Sequence, residues 1–222
     1  MLYRQVADVH FGILYSLSMR INRDNIKLIL FDLGGVLVEL GDVSDMWADK
    51  KGDYAEEDFW TLWLNDDSIQ AIDCGKMEIG EFLNLWIENW NLEISVEDLK
   101  KIYREFVRNP YPGALELIED CRKNYTVACL SNMTAGHWPI VQDFGFADCF
   151  DHMFISCLTN SCKPNRRAYE IVLEQCPFEP HEILFIDDNV TNLKSAEELG
   201  INILEARTAV GAREALVQFS II

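Results

Sequence analysis

Residues 26–37 read IKLILFDLGGVL. The run is apolar apart from Lys27, meets a single acid at Asp32, and then passes through Gly34 and Gly35. A short apolar run bounded by turn residues predicts a buried β-strand. A carboxylate at the end of such a strand costs free energy unless it is paired or holds a cation. The two glycines allow a sharp turn and a close approach of a ligand to the backbone. Taken alone, the stretch also fits a strand that simply ends in an Asp-containing turn. Partners elsewhere in the chain decide between the two.

The totals narrow the field. A chain of 222 residues holds one large domain, or a core with a small accessory domain. Hydrophobic residues make up 49% and charged residues 25%, the composition of an ordinary soluble globular protein. A net charge of -18 and a pI near 4.5 argue against nucleic acid, whose phosphates need a basic surface. They also disfavour anionic membrane surfaces, and no apolar run is long enough to span a bilayer. The seven cysteines show no CxxC pair and no Cys/His cluster at zinc spacing. They are read as buried or free thiols of a reducing cytoplasm, with no catalytic role. Within the first twenty residues the short apolar centre from Phe11 to Leu17 is preceded by Asp8 and His10, and no small-residue cleavage site follows. That pattern reads as an extension docking through Phe11, Ile13, Leu14 and Leu17 rather than as a signal peptide, with Met19 as an alternative start.

After Leu40 the texture changes. From Gly41 to Arg108 apolar residues recur at helical spacing, as in Phe59, Trp60, Trp63 and Leu64, and again in Phe82, Leu83, Trp86, Ile87 and Trp90. Ser95 followed by Glu97 and Asp98 marks a helix start. The segment reads as about four short helices, a small bundle rich in acids. Trp47, Trp60, Trp63, Trp86 and Trp90 all fall here. Their first role is to fill a bundle too small for much other core; the alternative is that one or two face a cleft and stack on a flat ligand group.

From Asn109 the pattern alternates. Helices are predicted over Pro112–Lys123, Thr134–Phe144 (kinked at Pro139), Pro164–Cys176, Val190–Leu199 and Gly211–Phe219. Strands are predicted over Tyr125–Ser131, Asp151–Ser156, Glu182–Asp187 and Ile201–Leu204. Alternating strands and helices imply a parallel sheet with right-handed crossovers. The expected fold is therefore α/β, a three-layer Rossmann-like parallel-sheet core from residues 1–40 and 109–222. Residues 41–108 are too many for a plain crossover and form an inserted helical cap.

In an open α/β sheet, ligands bind outside the carboxyl ends of the strands. Asp32, Ser131-Asn132 and Asp187-Asp188 each close a predicted strand, and Lys163 precedes the Pro164 helix. Acids converging from separate strands repel unless a cation lies between them, and oxygen ligands of this kind suit Mg²⁺. Lys163 adds a point charge for a phosphate, and Ser131 and Asn132 offer a hydroxyl and amides for its oxygens. Acid, metal, lysine and amide donors together describe phosphoryl transfer, with the carboxylate attacking phosphorus.

FDLGGVL, LSN, CKPN and FIDDNVTN, in this order and spacing, resemble the four motifs of the haloacid-dehalogenase-like hydrolase superfamily. The resemblance spans Ile26 to Leu204, and the inserted helices resemble its C1-type cap. It implies that Asp32 is the nucleophile and a Mg²⁺ ligand, and that Ser131 and the Asn132 backbone bind the phosphoryl group. Lys163 would orient Asp32 and neutralise charge. Asp188 and the Gly34 carbonyl would ligate Mg²⁺, with Asp187 and Asn192 supporting from behind. The implied partner is a small phosphorylated metabolite, possibly a sugar phosphate. No pattern fixes which metabolite, or an oligomeric state.

One position departs from the superfamily. Most of its phosphatases carry a second aspartate two residues after the nucleophile, as general acid and base, and here that residue is Gly34. Water or another side chain then moves the proton, or the chain resembles the bacterial α-D-glucose-1-phosphate phosphatases and the epoxide-hydrolase amino-terminal relatives, which share DLG-type motifs. Alternatively it has lost catalysis and binds a phosphorylated ligand. A hexose mutase, needing that acid twice per cycle, is disfavoured. A 2-haloacid dehalogenase, using Asp32 against carbon, is a further alternative that the paired acids of FIDDN count against. His137 follows the Ser131 loop and is expected on a helix surface, with a cleft position as its alternative. Glu39, just past the glycine turn, is a second cleft candidate.

Overall fold

The computed structural model describes residues 23–55 and 58–222, so the docking and start-site expectations for the first 22 residues lie outside it. The chain opens with strand β1 (Leu28–Phe31), whose four side chains are fully buried, and the short strand β2 (Val38–Leu40). Irregular 3₁₀ turns over Val43–Asp53 follow, then helices α1 (Phe59–Leu64), α2 (Asp67–Asp73), α3 (Ile79–Trp90) and α4 (Val96–Glu105). The remainder alternates: β3 (Val107–Pro110), α5 (Ala114–Arg122), β4 (Thr126–Ser131), α6 (Trp138–Gln142), β5 (His152–Ile155), α7 (Ser156–Thr159), α8 (Arg166–Gln175), β6 (Ile183–Asp187), α9 (Val190–Glu197), β7 (Asn202–Glu205) and α10 (Thr208–Gln218).

Five strands form one parallel sheet in the order β5-β4-β1-β6-β7. Its faces follow the two-residue period of a strand. Ile29 and Phe31 of β1 join Leu117, Ile118 and Leu216 in one core, whereas Leu28 and Leu30 join Tyr169, Val172 and Ala196 in the other. Burial on both faces explains why each strand reads as a continuous apolar run. Sheet and two helical layers make the expected three-layer α/β fold. The order also places β1 at the centre, so Asp32 leaves the sheet between the ends of β4 and β6.

The helical segment has a core of its own, with Trp47, Phe59, Phe82, Leu83, Trp86 and Tyr103 packed together. Trp47 and Trp86 are fully buried with ring centroids 5.0 Å apart, and the Trp86 Nε1–H donates to the Met46 carbonyl at 2.9 Å. Ser95 caps α4, its Oγ accepting from the Asp98 N–H at 3.1 Å, as its sequence position predicts. Where the chain enters and leaves this segment, β2 and β3 pair antiparallel. These strands of three and four residues are too short to announce themselves by periodicity.

Several boundaries differ from expectation. The helix predicted from Thr134 begins at Trp138, and Pro139 occupies its first turn instead of kinking it, because no N–H is needed there. The helix predicted from Pro164 begins at Arg166, after Asn165 accepts from the Arg167 N–H at 2.9 Å. Gly113 at φ +83° precedes α5, which starts at Ala114 rather than Pro112. The last helix starts at Thr208, three residues before the predicted Gly211. The expectation of free thiols fails for Cys74 and Cys162, which are joined as a disulfide with Cα atoms 5.6 Å apart. They are 88 residues apart in sequence, a pairing that local spacing cannot show. Cys121 and Cys129 are free and buried, as read. Among the described residues no helix is long and apolar enough to cross a membrane.

Candidate active site

At the carboxyl ends of β1, β4 and β6 the polar residues singled out above share one cleft. Asp32 follows β1, and its N–H continues the ladder to the Ile186 carbonyl at 2.8 Å, which fixes the main chain beneath the carboxylate. Its Oδ1 accepts from the Lys163 Nζ at 2.9 Å and from the Leu33 N–H at 2.7 Å. Oδ2 has no hydrogen-bond partner among the described residues. Burial raises the Asp32 carboxyl above the ordinary range; Lys163 opposes this, and Asp187 and Asp188 reinforce it.

Lys163 is buried and bridges two acids, with its Nζ 2.7 Å from Asp187 Oδ2 as well as in contact with Asp32. Burial alone disfavours its charged form. Asp187 and Asp32 more than offset that and hold the ammonium charged. Asp187 ends β6 with no exposure at all, and its carboxylate is largely consumed. Lys163 and the Asn192 amide donate to Oδ2, and the Asn189 N–H and the same amide donate to Oδ1. Asn192 is thus buried behind the site, not on the helix surface.

Asp188 turns the other way, toward the glycine loop. A Cβ on Gly35 would sit 2.7 Å from Asp188 Oδ2, and Gly35 has φ +75°. Both facts demand glycine here. The Thr208 N–H holds the Gly35 carbonyl at 2.8 Å, while the Gly34 carbonyl is free of hydrogen bonds among the described residues. Asp32, Asp187 and Asp188 each present an oxygen, all within 4.8 Å of one another. Burial, then Asp187, raises the Asp188 carboxyl. Crowded carboxylates with no other ligand type fit a small hard cation such as Mg²⁺.

Ser131 closes β4, buried and facing the same cleft. The Asn132 side chain does something the sequence did not reveal. Its Nδ2 donates to the Lys163 carbonyl and its Oδ1 accepts the Lys163 N–H, both at 2.8 Å. This amide is therefore spent in joining two loops and is not a free phosphate donor.

The cleft occupies about 1510 Å³ and runs between the sheet ends and the helical segment. Trp60 and Trp63 line it, so the tryptophans divide between core and cleft. Asp73, at the end of α2, lines it as well. His137 lines the cleft and does not lie on the helix surface. It is buried, stacked on Tyr103 at 4.1 Å, and its Nε2–H donates to the Tyr103 carbonyl at 2.6 Å. Burial pushes it down to about 4, which keeps it neutral. Glu39 is turned to Arg108 at 3.0 Å, bracing the β2–β3 ribbon.

Comparison with known proteins finds several similar chains. D-ribitol-5-phosphate phosphatase of Bacteroides thetaiotaomicron is 26% identical over 199 residues, 86% of this chain and 97% of that protein. Phosphoglycolate phosphatase of Haemophilus influenzae is 26% identical over 188 residues, 78% of this chain and 82% of that one. Among solved structures, a HAD family enzyme of Bacteroides thetaiotaomicron in complex with magnesium and inorganic phosphate superposes with a TM-score of 0.67 at 27% identity, over 82% of this chain and 94% of that one. The haloacid dehalogenase-like hydrolase family matches residues 26–200. A match of that length, across the strand ends and loops that build the cleft, makes this chain a member of the haloacid dehalogenase-like hydrolases.

Proposed function

We infer that this chain is a Mg²⁺-dependent phosphomonoesterase acting on a small phosphorylated metabolite of the sugar- or polyol-phosphate kind, through an aspartyl phosphate on Asp32. One observation carries the reading. Asp32 is clamped through Oδ1 by Lys163 and the Leu33 N–H, which leaves Oδ2 as the oxygen available to attack phosphorus.

The geometry supports the following roles. Lys163 fixes the nucleophile and offsets charge on the transferring phosphoryl oxygens. The Ser131 hydroxyl and the Asn132 N–H bind those oxygens. Asp32, Asp188 and the Gly34 carbonyl would hold Mg²⁺, while Asp187, loaded with hydrogen bonds, orients Lys163 and Asn192. When bound, Mg²⁺ would let phosphate and carboxylates share the site by neutralising their charge. Residues 41–108 act as the cap, and Trp60 and Trp63 offer flat apolar surface to the non-phosphate part of the substrate. The relatives that act on ribitol 5-phosphate and phosphoglycolate support a small substrate.

The test is phosphate release from p-nitrophenyl phosphate and D-ribitol 5-phosphate, with and without EDTA. Metal-dependent release that falls by about 10³-fold or more in Asp32→Asn is expected, since that change removes the nucleophile. Activity persisting in Asp32→Asn would refute the role given to Asp32. Gly34 favours one second reading, a protein that binds a phosphorylated ligand without turning it over. Ligand-induced stabilisation with no release from either ester would select it.

A further inference from the structure

Breaking an alkyl phosphate ester leaves an alkoxide that needs a proton, and Gly34 has no side chain to give one. The space an acid would use there is partly taken, since a Cβ at Gly34 lies 3.2 Å from Leu40 Cδ1. Another residue must serve. We propose that Asp73, at the end of α2 in the cap, is the general acid and base of this site. The proposal rests on the phosphatase reading above and supplies the group that reading lacks.

Placement is the first argument. Asp73 lines the same cleft as Asp32, Ser131 and Lys163. Its main chain is fastened to the core on both sides. The Ser156 Oγ–H donates to the Asp73 carbonyl at 2.6 Å, and the Ser156 Oγ in turn accepts the N–H of Met133, two residues past Ser131. The next residue, Cys74, is bonded to Cys162, the neighbour of Lys163. After it, Gly75 runs so close to the core that a Cβ would meet the Cys157 carbonyl at 2.8 Å. Asp73 is thus held between the two loops that carry Ser131 and Lys163, although it belongs to a different part of the chain.

Chemistry is the second argument. Some acids of the helical segment are paired at the surface, as Asp98 is with Lys101 and Asp42 with Lys51, and the exposed ones are solvated. No hydrogen bond or ion pair engages the Asp73 carboxylate among the described residues, although it is only partly exposed. A structural acid in such a position would be expected to have a partner. Burial pushes its carboxyl up to about 7, where one group can give a proton and take one back. The rival acids of the cleft are worse placed. Asp67 is exposed at the far end of α2, and Glu205 ends the edge strand β7, two strands from β1. His137 is neutral with its N–H already committed.

The two steps balance. As Asp32 Oδ2 bonds to phosphorus and the ester P–O bond breaks, the leaving oxygen takes the proton of the Asp73 carboxyl. Alcohol, aspartyl phosphate and the Asp73 carboxylate result. Water then attacks phosphorus and gives a proton to Asp73, the bond from phosphorus to Asp32 breaks, and inorganic phosphate leaves with both carboxyl groups restored.

The test compares leaving groups in the full chain with Mg²⁺. Asp73→Asn, shown folded by circular dichroism, is expected to lose about 10²-fold or more in kcat on D-ribitol 5-phosphate, and only a few-fold on p-nitrophenyl phosphate, whose phenolate needs no proton. Along a series of substituted phenyl phosphates, its rate should fall more steeply with leaving-group basicity than the wild type's. Asp73→Glu should recover part of the alkyl ester rate. Equal losses on both esters, or no loss, would overturn the proposal and leave the phosphatase reading standing. Absence of metal-dependent release from the wild type would remove both.

Discussion

His137 shows what a single buried ring adds to the seam between the helical segment and the sheet. Its Nε2–H is given to the Tyr103 carbonyl and its face to the Tyr103 ring, whose hydroxyl donates to Thr134 Oγ1 at 2.5 Å. With a folded-state value of about 4 against 6.5 for a free histidine, the unfolded chain binds the extra proton anywhere between the two. Stability from this residue is therefore complete above pH 6.5 and is lost as the pH falls toward 4, by at most about 3 kcal/mol. Urea midpoints at pH 7.5 and 5 should separate more in the wild type than in His137→Phe, which retains an aromatic ring but cannot titrate. Equal separations would place the acid sensitivity in other groups. The sequence could not assign this histidine, because its partner Tyr103 lies 34 residues away on another element. Asp73 was hidden for the same reason. A lone acid at the end of a short helix looks like any solvated one until the fold presses it against the core.

Between elements, the decisive joint is the pair of hydrogen bonds from Asn132, after β4, to the main chain of Lys163, before α8. The amide imitates a peptide group, satisfying one N–H and one carbonyl of a loop that has no regular partner. Removing it in Asn132→Ala leaves both groups bare. A stability loss of about 1–3 kcal/mol should follow. The rate should drop by about 10-fold or more, because Lys163 is no longer held at 2.9 Å from Asp32. Thermal melts and kcat on p-nitrophenyl phosphate measure the two; an unchanged kcat would show that Lys163 is positioned by its acids alone. This joint also marks where local reading stopped. LSN and CKPN each announced a loop at a strand or helix end, but not that the Asn of one grips the backbone of the other. The β2–β3 ribbon and the Cys74–Cys162 link were missed on the same grounds, since each pairs segments more than 60 residues apart. Central strands fared better. Leu28–Phe31 and Ile183–Asp187 are buried on both faces, and the resulting apolar runs are visible residue by residue.

At the scale of the whole molecule, the sheet order does the converging. Placing β1 between β4 and β6 brings residues 32, 131 and 187–188 together, while the loop before α8 delivers Lys163 from above. The arrangement accumulates three carboxylates against one lysine at the mouth of a chain that already carries a net charge of -18. Without a cation the fold bears that repulsion, and burial worsens it for Asp32 and Asp188. Mg²⁺ binding should therefore appear as stability as well as activity, because an ion held by the folded chain and not by the unfolded one shifts the equilibrium. Saturation at a hundred times the dissociation constant is worth about 2.7 kcal/mol. Asp188→Asn removes one of the three charges and one of the ligands. Its melting temperature in EDTA should equal or exceed that of the wild type, and the increment on adding Mg²⁺ should largely vanish. A variant that gained as much from Mg²⁺ as the wild type would show that the ion binds elsewhere on the acidic surface.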